Sequence, residues 1–468
     1  MMKRTWTRIA AAAETPSNLG AFFPLSTELT QAQDHGPTSG RCVIISPLLP
    51  GAAKSVALRS PQAVLEEIEG LAQAIHLDVL AAETVKLSKI QAGAFLGKGQ
   101  REEIGRRIKA LEPDLLIFNH TLSPVQQRNL EKEWDVKVID RTGLILEIFG
   151  ERAQTKEGRL QVELAALEYQ KSRLVRSWTH LERQRGGAGF MGGPGERQIE
   201  IDRRLISERI SRLKKELEDV RRTRELGRKS RERVPFPVIA LVGYTNAGKS
   251  TLFNRLTQAD VFAKDLLFAT LDPTLRRIEL PNGQKAILSD TVGFIADLPT
   301  HLIAAFRATL EQVLYADVIV HVIDSSRPDY EAQRQDVIGI LEQMGIRYEE
   351  DPRILEIYNK IDALAPDTLE DLRRDCAFHE DRIMLSALSG EGEADLLGRT
   401  ASLLSEKRVE VSFALPYQDG KALSWLYDHA ELLQRTDGES AIDVVVRIDR
   451  ADLGKFVEHY GYKPRPDR

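Results

Sequence analysis

The stretch VIALVGYTNAGKSTLFNRL, residues 238–256, runs from an apolar segment through Gly243–Ser250, which fits G-x-x-x-x-G-K-S, into residues suited to a helix. Strand, glycine-rich turn and helix in that order are the context a phosphate-binding loop requires. Glycines at both ends let backbone N–H groups from Tyr244, Thr245, Asn246, Ala247 and Gly248 curl around phosphates. Lys249 brings a point charge between the β- and γ-phosphates, and the helix N-terminus at Ser250 and Thr251 adds partial positive charge. The Ser250 hydroxyl is the expected Mg²⁺ ligand.

Three further motifs follow in order. DTVGF (290–294) comes after the apolar run KAILS. Asp290 is expected to hold Mg²⁺ through water, and Gly293 to offer its N–H to the γ-phosphate. Between the two lies FATLDPT (268–274), where Thr270 is the expected switch threonine on Mg²⁺ and Thr274 the alternative. NKID (359–362) follows ILEIY. Asn359 faces the major-groove edge of guanine, Lys360 lies between the two readers, and Asp362 accepts from guanine N1–H and the 2-amino group. Adenine lacks both donors and leaves that carboxylate unpaired, so the site selects GTP over ATP. SAL (Ser386, Ala387, Leu388) brings a backbone N–H to the guanine oxygen. Together these motifs imply a P-loop GTPase domain, with Lys249, Thr270 and Gly293 nearest the reacting phosphate. Phe294 stands where many regulatory GTPases carry a water-orienting glutamine, so hydrolysis is expected to be slow unaided.

Outward from this domain the chain divides further. Residues 1–40 read as a mobile tail. From 41 to 150, strand-like runs (RCVIISPLL, HLDVLAAETVKL, PDLLIFNH, VKVID) alternate with amphipathic helical stretches, which predicts an α/β domain with a mainly parallel sheet. Residues 151–234 predict a long antiparallel helical hairpin. Leu160, Leu164, Leu167, Leu174, Trp178 and Leu181 recur at steps of three, four and seven, and Ile199, Ile206, Ile210, Leu213, Leu217 and Val220 keep the same rhythm. VPFPV (234–238) then breaks the helix. The GTPase domain occupies 235–408, and 409–468 predicts a small α+β domain: a strand, a helix from Lys421 to Leu433, a second strand and a final helix.

The helical segments are joined by GGAGFMGGPG (186–195), six glycines in ten positions. Gly187, Gly189 and Gly192 spell G-x-G-x-x-G, but a dinucleotide loop needs a strand before it, and a helix stands there instead. A helix hairpin turns in about two to five residues, so the loop is longer than turning requires. Residues 151–233 carry 22 basic and 14 acidic side chains, a net of +8, against 43 and 56, a net of −13, elsewhere. Lys171, Arg173, Arg176, Arg183, Arg185, Arg197, Arg203 and Arg204 crowd the approaches to the loop, which favours an anionic partner. Cys42 and Cys376 are too distant in sequence to suggest a disulfide framework and fit a reducing, cytoplasmic compartment. No apolar run approaches the length of a membrane span.

These residues resemble the HflX family of ribosome-associated GTPases. The resemblance rests on GKGQREEI (97–104), LSPVQQRNLE (122–131), VIDRTGLILEIF (138–149), RGGAGFMGGPGERQIEIDRR (185–204), GYTNAGKSTLFN (243–254) and FATLDPTLRRI (268–278). It implies binding to the large (50S) ribosomal subunit and GTP-dependent splitting of stalled or idle 70S ribosomes, with the glycine loop reaching ribosomal RNA. The alternative is an assembly or anti-association factor acting on free 50S subunits. A third reading, ATP-driven RNA remodelling through residues 41–150, finds no second phosphate loop there: FLGKGQ lacks the spacing. GTPases with an apolar residue at 294 and asparagine at 246 imply a K⁺ ion held by Asn246, a residue that also suits a purely loop-stabilising role. A monomer is expected.

Overall fold

The computed structural model describes residues 40–49, 59–184, 194–231, 236–258, 267–268, 274–296, 312–406, 408–438 and 440–465. The tail (1–39), Thr270 and residues 186–193 of the glycine string lie outside them. Contacts divide the chain into two units.

One unit holds the N-terminal α/β fold: β1 (Arg41–Leu48), α1 (Pro61–Ala74), β2 (Asp78–Lys86), α2 (Lys98–Leu111), β3 (Leu115–Phe118), α3 (Pro124–Trp134) and β4 (Lys137–Asp140). The sheet order is β2-β1-β3-β4, and every pairing is parallel, as the alternation of strands and helices predicts. Helix α3 starts where LSPVQQ says it should. Ser123 Oγ accepts from Gln126 N–H, the Gln126 side chain accepts from Ser123 N–H, and Pro124 supplies a fixed φ at the first turn.

A helix the sequence reading passed over, α4 (Arg141–Arg152), continues directly from β4. Leu144, Ile145, Ile148 and Phe149 are buried on one face of it, at helical spacing. Asp140, itself buried, anchors its start by accepting from Gly143 N–H (2.9 Å), Leu122 N–H (3.1 Å) and Tyr169 Oη (2.7 Å).

Two long helices follow, α5 (Lys156–Gln184) and α6 (Pro194–Arg231). At about 1.5 Å per residue, their 29 and 38 residues extend roughly 44 and 57 Å. Leu160, Leu164, Ile206, Ile210 and Leu213 are buried, and Leu167, Leu217 and Val220 half-buried. The side chains of Leu174, Trp178, Leu181 and Ile199 lie outside the described residues.

The second unit holds a six-stranded sheet, ordered β10-β9-β8-β5-β7-β6. Its strands are β5 (Val238–Gly243), β6 (Thr274–Glu279), β7 (Lys285–Asp290), β8 (Val318–Asp324), β9 (Ile354–Asn359) and β10 (Arg382–Met384). All pairings are parallel except β6 with β7. Helices α7 (Lys249–Thr257), α8 (Tyr330–Gln343), α9 (Pro366–Ala377) and α10 (Glu393–Glu406) alternate with the strands. All seven residues of β8 are buried, as a central parallel strand covered on both faces requires.

The same unit ends in β11 (Arg408–Pro416), α11 (Gly420–His429), β12 (Ala430–Asp437), β13 (Ala441–Asp449) and α12 (Arg450–Tyr460), with sheet order β11-β13-β12, antiparallel throughout. Here the expected helix from Lys421 to Leu433 is corrected. The helix stops at His429, and Ala430–Asp437 is a strand paired along β13. AELL has good helix formers, but the ladder and the packing of Leu432 against the apolar cluster around Val446 and Phe456 override that weak preference.

Candidate functional site

In an open parallel sheet, ligands bind beyond the carboxyl ends of the strands, where loops from several strands converge. There β5 leads into the glycine loop, β7 ends at Asp290, β8 at Asp324 and β9 at Asn359, and the 386–392 loop follows β10. The residues singled out from four separate motifs therefore meet in one place.

The glycine loop has the backbone its sequence demands. Gly243 and Gly248 sit at φ +150° and +95°, and Asn246, which is exposed, at +59°. A Cβ at Gly243 would lie 2.2 Å from the Val322 carbonyl, and one at Gly248 2.2 Å from Asn359 Nδ2. Both positions exclude a side chain, because Val322 and Asn359 already fill the space it would need. Lys249 opens α7, is 5% exposed, and donates from Nζ to the carbonyls of Gly243 (3.1 Å) and Tyr244 (2.7 Å). Burial pushes its ammonium down to about 8, while the Asp290 carboxylate opposes that shift. Ser250 Oγ donates to Asp290 Oδ2 at 2.8 Å. A hydroxyl and a carboxylate so placed at the mouth of the loop form an oxygen donor set that suits a hard cation such as Mg²⁺.

The segment after β7 is tied to the glycine loop by its backbone. Thr245 N–H donates to Phe294 O (2.8 Å), and Phe294 N–H to Gly243 O (3.1 Å). Gly293 lies so close that a Cβ there would stand 2.8 Å from Thr245 Cγ2 and 3.2 Å from Lys249 Nζ. The Phe294 side chain is 1% exposed, packed into the protein. Thr274, the alternative switch threonine, starts β6 and pairs across from Asp290.

On the base side, Asn359 is 1% exposed and bridges two loops. Its Nδ2 donates to Ala247 O (2.8 Å), and its Oδ1 accepts from Ala387 N–H (2.9 Å). An amide carries two donor hydrogens, and Ala247 takes one of them. Lys360, at φ +66°, turns back to pair with Asp324 at 2.7 Å. Asp362 is exposed, and its Oδ1 accepts from Ser386 Oγ. Of the N–H groups of SAL, that of Ser386 goes to Glu391 O (2.9 Å) and that of Ala387 to Asn359; that of Leu388 has no protein acceptor among the described residues.

Three contributors escaped the sequence reading. Asp324 holds Lys360, and its place at the end of a buried apolar strand was a usable signal. Arg59 donates to Tyr244 Oη (3.1 Å), lies over the Tyr244 ring (5.2 Å) and pairs with Asp336; the same hydroxyl accepts from Ala296 N–H (2.8 Å). Arg255, on α7, reaches the 388–393 loop. Partners 185 and 133 positions away leave no local pattern for either arginine.

Known proteins match most of the chain. Residues 62–150 match the family "GTP-binding GTPase N-terminal", 152–231 "GTP-binding GTPase Middle Region", 238–360 "50S ribosome-binding GTPase" and 371–468 "HflX C-terminal domain". GTPase HflX of Magnetococcus marinus is 48% identical over 416 residues, covering 89% of this chain and 94% of that protein. GTPase HflX of Escherichia coli is 46% identical over 363 residues, covering 78% and 84%. A GTP-binding protein from Sulfolobus solfataricus, solved in complex with GDP, is 25% identical, with 78% and 99% coverage and a TM-score of 0.41. With these family matches spanning residues 62–360 and 371–468, and HflX relatives 46–48% identical over most of both chains, the chain belongs to the HflX family of GTPases.

Proposed function

We propose that this GTPase binds the large ribosomal subunit and uses GTP to split stalled or idle 70S ribosomes in the cytoplasm, acting as a monomer. The observation that carries this reading is the match of residues 238–360 to the 50S ribosome-binding GTPase family, on the same chain as a helical segment of net charge +8. The proposed division of labour is a tail (1–40), an α/β domain (41–150), an antiparallel helical arm (151–234), the GTPase domain (235–408) and a small α+β domain (409–468). The breaks between the matched families near 151 and 232–237 support the boundaries at 150/151 and 234/235.

In the site, backbone N–H groups of 243–251 and Lys249 hold the β- and γ-phosphates. The protonated Lys249, now spent on two loop carbonyls, turns to phosphate and stabilises charge as the bond to the γ-phosphate breaks. Ser250 and Asp290 would hold Mg²⁺, Asp290 through water, and Thr270 would complete the set in the GTP state. The bound Mg²⁺ neutralises phosphate charge. Gly293 offers its N–H to the γ-phosphate, and Asn246 would ligate K⁺. Asn359 and Asp362 read guanine, Lys360 lies along the base, and the Leu388 N–H meets the guanine carbonyl. Phe294 is turned inward and cannot orient water, so the ribosome has to complete the catalytic arrangement. Glycines 186–195 let the arm's tip approach RNA phosphates closely while the flanking arginines neutralise them.

The test is a sucrose-gradient profile of 70S particles with the protein and GTP, GDP or a non-hydrolysable analogue. Conversion of 70S to subunits with GTP supports splitting. Binding to free 50S subunits with intact 70S peaks would replace it with the anti-association reading.

A further inference from the structure

We infer that Arg255 is a positioning residue for guanine recognition, a clamp that ties the phosphate-binding helix to the loop carrying the base-facing N–H. This rests on the proposed base site. Arg255 lies in the last turn of α7, six residues after Lys249 or roughly 9 Å along the axis. Each nitrogen of its planar fork donates once: Nη1 to Leu388 O (3.2 Å), Nη2 to Ser389 O (3.0 Å), and Nε to Glu393 Oε2 (2.7 Å). Gly390, at φ +93°, leaves room for it, since a Cβ there would stand 1.8 Å from Arg255 Nη2. The guanidinium fills the space a side chain at 390 would take.

The held loop is the one that meets the base. Asn359 fixes it through Ala387 N–H, Ser386 Oγ fixes it through Ser389 N–H (3.1 Å), and Arg255 fixes the carbonyl of Leu388 itself. Leu388 is otherwise exposed, at 77%. Its N–H is the donor left over in SAL, and the peptides on either side are pinned by Asn359 and Arg255. The same helix holds the phosphate loop at its first residue and the base loop at its last turn, so the distance between phosphate and base contacts is set by one rigid element. Lysine, with a single compact ammonium, cannot hold two carbonyls and a carboxylate in one plane.

The experiment measures dissociation constants of wild type and Arg255→Ala for GDP, inosine diphosphate and ADP by competition, with thermal melting to verify the fold. GDP and inosine diphosphate share the 6-carbonyl and ADP lacks it. Arg255→Ala is expected to weaken GDP and inosine diphosphate alike, by about tenfold, the scale of one well-aligned hydrogen bond, and to leave ADP unchanged. Arg255→Lys should recover only part of that loss. Glu393→Gln, which loosens the clamp without removing it, should give the same pattern at smaller amplitude, and it decides the matter if Arg255→Ala fails to fold. An equal drop for all three nucleotides, or no drop for any, overturns the inference. Wild-type protein binding ADP as tightly as GDP would overturn the base-site reading beneath it, a result visible before any variant is made.

Discussion

Single residues divide here between those that touch a ligand and those that hold others in place. Asp362 belongs to the first group in the proposed site: exposed, with one oxygen accepting from Ser386. Asp362→Asn should lower GDP affinity by about ten- to a hundredfold, because an amide presents a donor to the donors on guanine, and should raise affinity for xanthosine diphosphate. Titration with both nucleotides checks this, and unchanged GDP affinity refutes the assignment. His321 belongs to the second group. It is fully buried on β8, with Nδ1 2.5 Å from Tyr348 Oη, and burial, then Arg334, then Lys249 push its imidazole down to about 3. The folded state thus favours neutral imidazole. Its contribution to stability is complete above the unfolded value near 6.5 and is lost as pH falls from there toward 3. Denaturant unfolding at pH 7, 5.5 and 4.5 should show wild type losing stability faster than His321→Gln; parallel losses would refute it.

At the scale of elements, the phosphate loop and the base loop are one construction. Asn359 at the end of β9 bridges them through Ala247 and Ala387, and Gly248 makes the close approach possible. Gly248→Ala puts a methyl 2.2 Å from Asn359 Nδ2 and asks a left-handed conformation of alanine. Backbone strain of about 1–3 kcal/mol adds to the displaced bridge. Nucleotide affinity should fall more than tenfold while the sheet stays folded; calorimetric titration beside circular dichroism measures both. Normal affinity would mean that the bridge does not matter to binding.

For the whole molecule, the proposed function joins a nucleotide site to a glycine string that lies far from most of that site's motifs in sequence. Along the chain, α6, roughly 57 Å long, leads from the glycine string 186–195 to the GTPase domain. Shortening that segment to a minimal turn should leave guanine-nucleotide affinity intact and abolish most 70S splitting. Ribosome binding should fall only in part, since Arg183, Arg185, Arg197 and Arg203 keep their salt-dependent attraction. Gradient profiles of wild type and variant, run side by side at two salt concentrations, decide it; equal splitting returns the segment to a passive connector. Intact protein should hydrolyse GTP slowly alone and much faster with 50S subunits, and fast turnover without ribosomes would refute the part given to Phe294.

The sequence by itself determined the phosphate loop, the order of the motifs and the N-terminal strand–helix alternation. Each depends on near neighbours: glycines at positive φ, a lysine opening a helix, apolar runs at a fixed period. It also carried α4, a short helix that follows β4 with no intervening turn, in the spacing of Leu144, Ile145, Ile148 and Phe149. Tertiary structure decided the rest. Ala430–Asp437 is a strand because β13 supplies a ladder and an apolar face, and those outweigh the helix preference of Ala, Glu and Leu. Asn359 is a bridge, Arg59 a partner of Tyr244 and Arg255 a clamp because folding brings their partners within hydrogen-bond reach. A hydrogen bond acts over about 3 Å. Local patterns therefore announce groups that act on ligands through their neighbours in sequence, while groups that act on distant segments are visible only once the chain has folded.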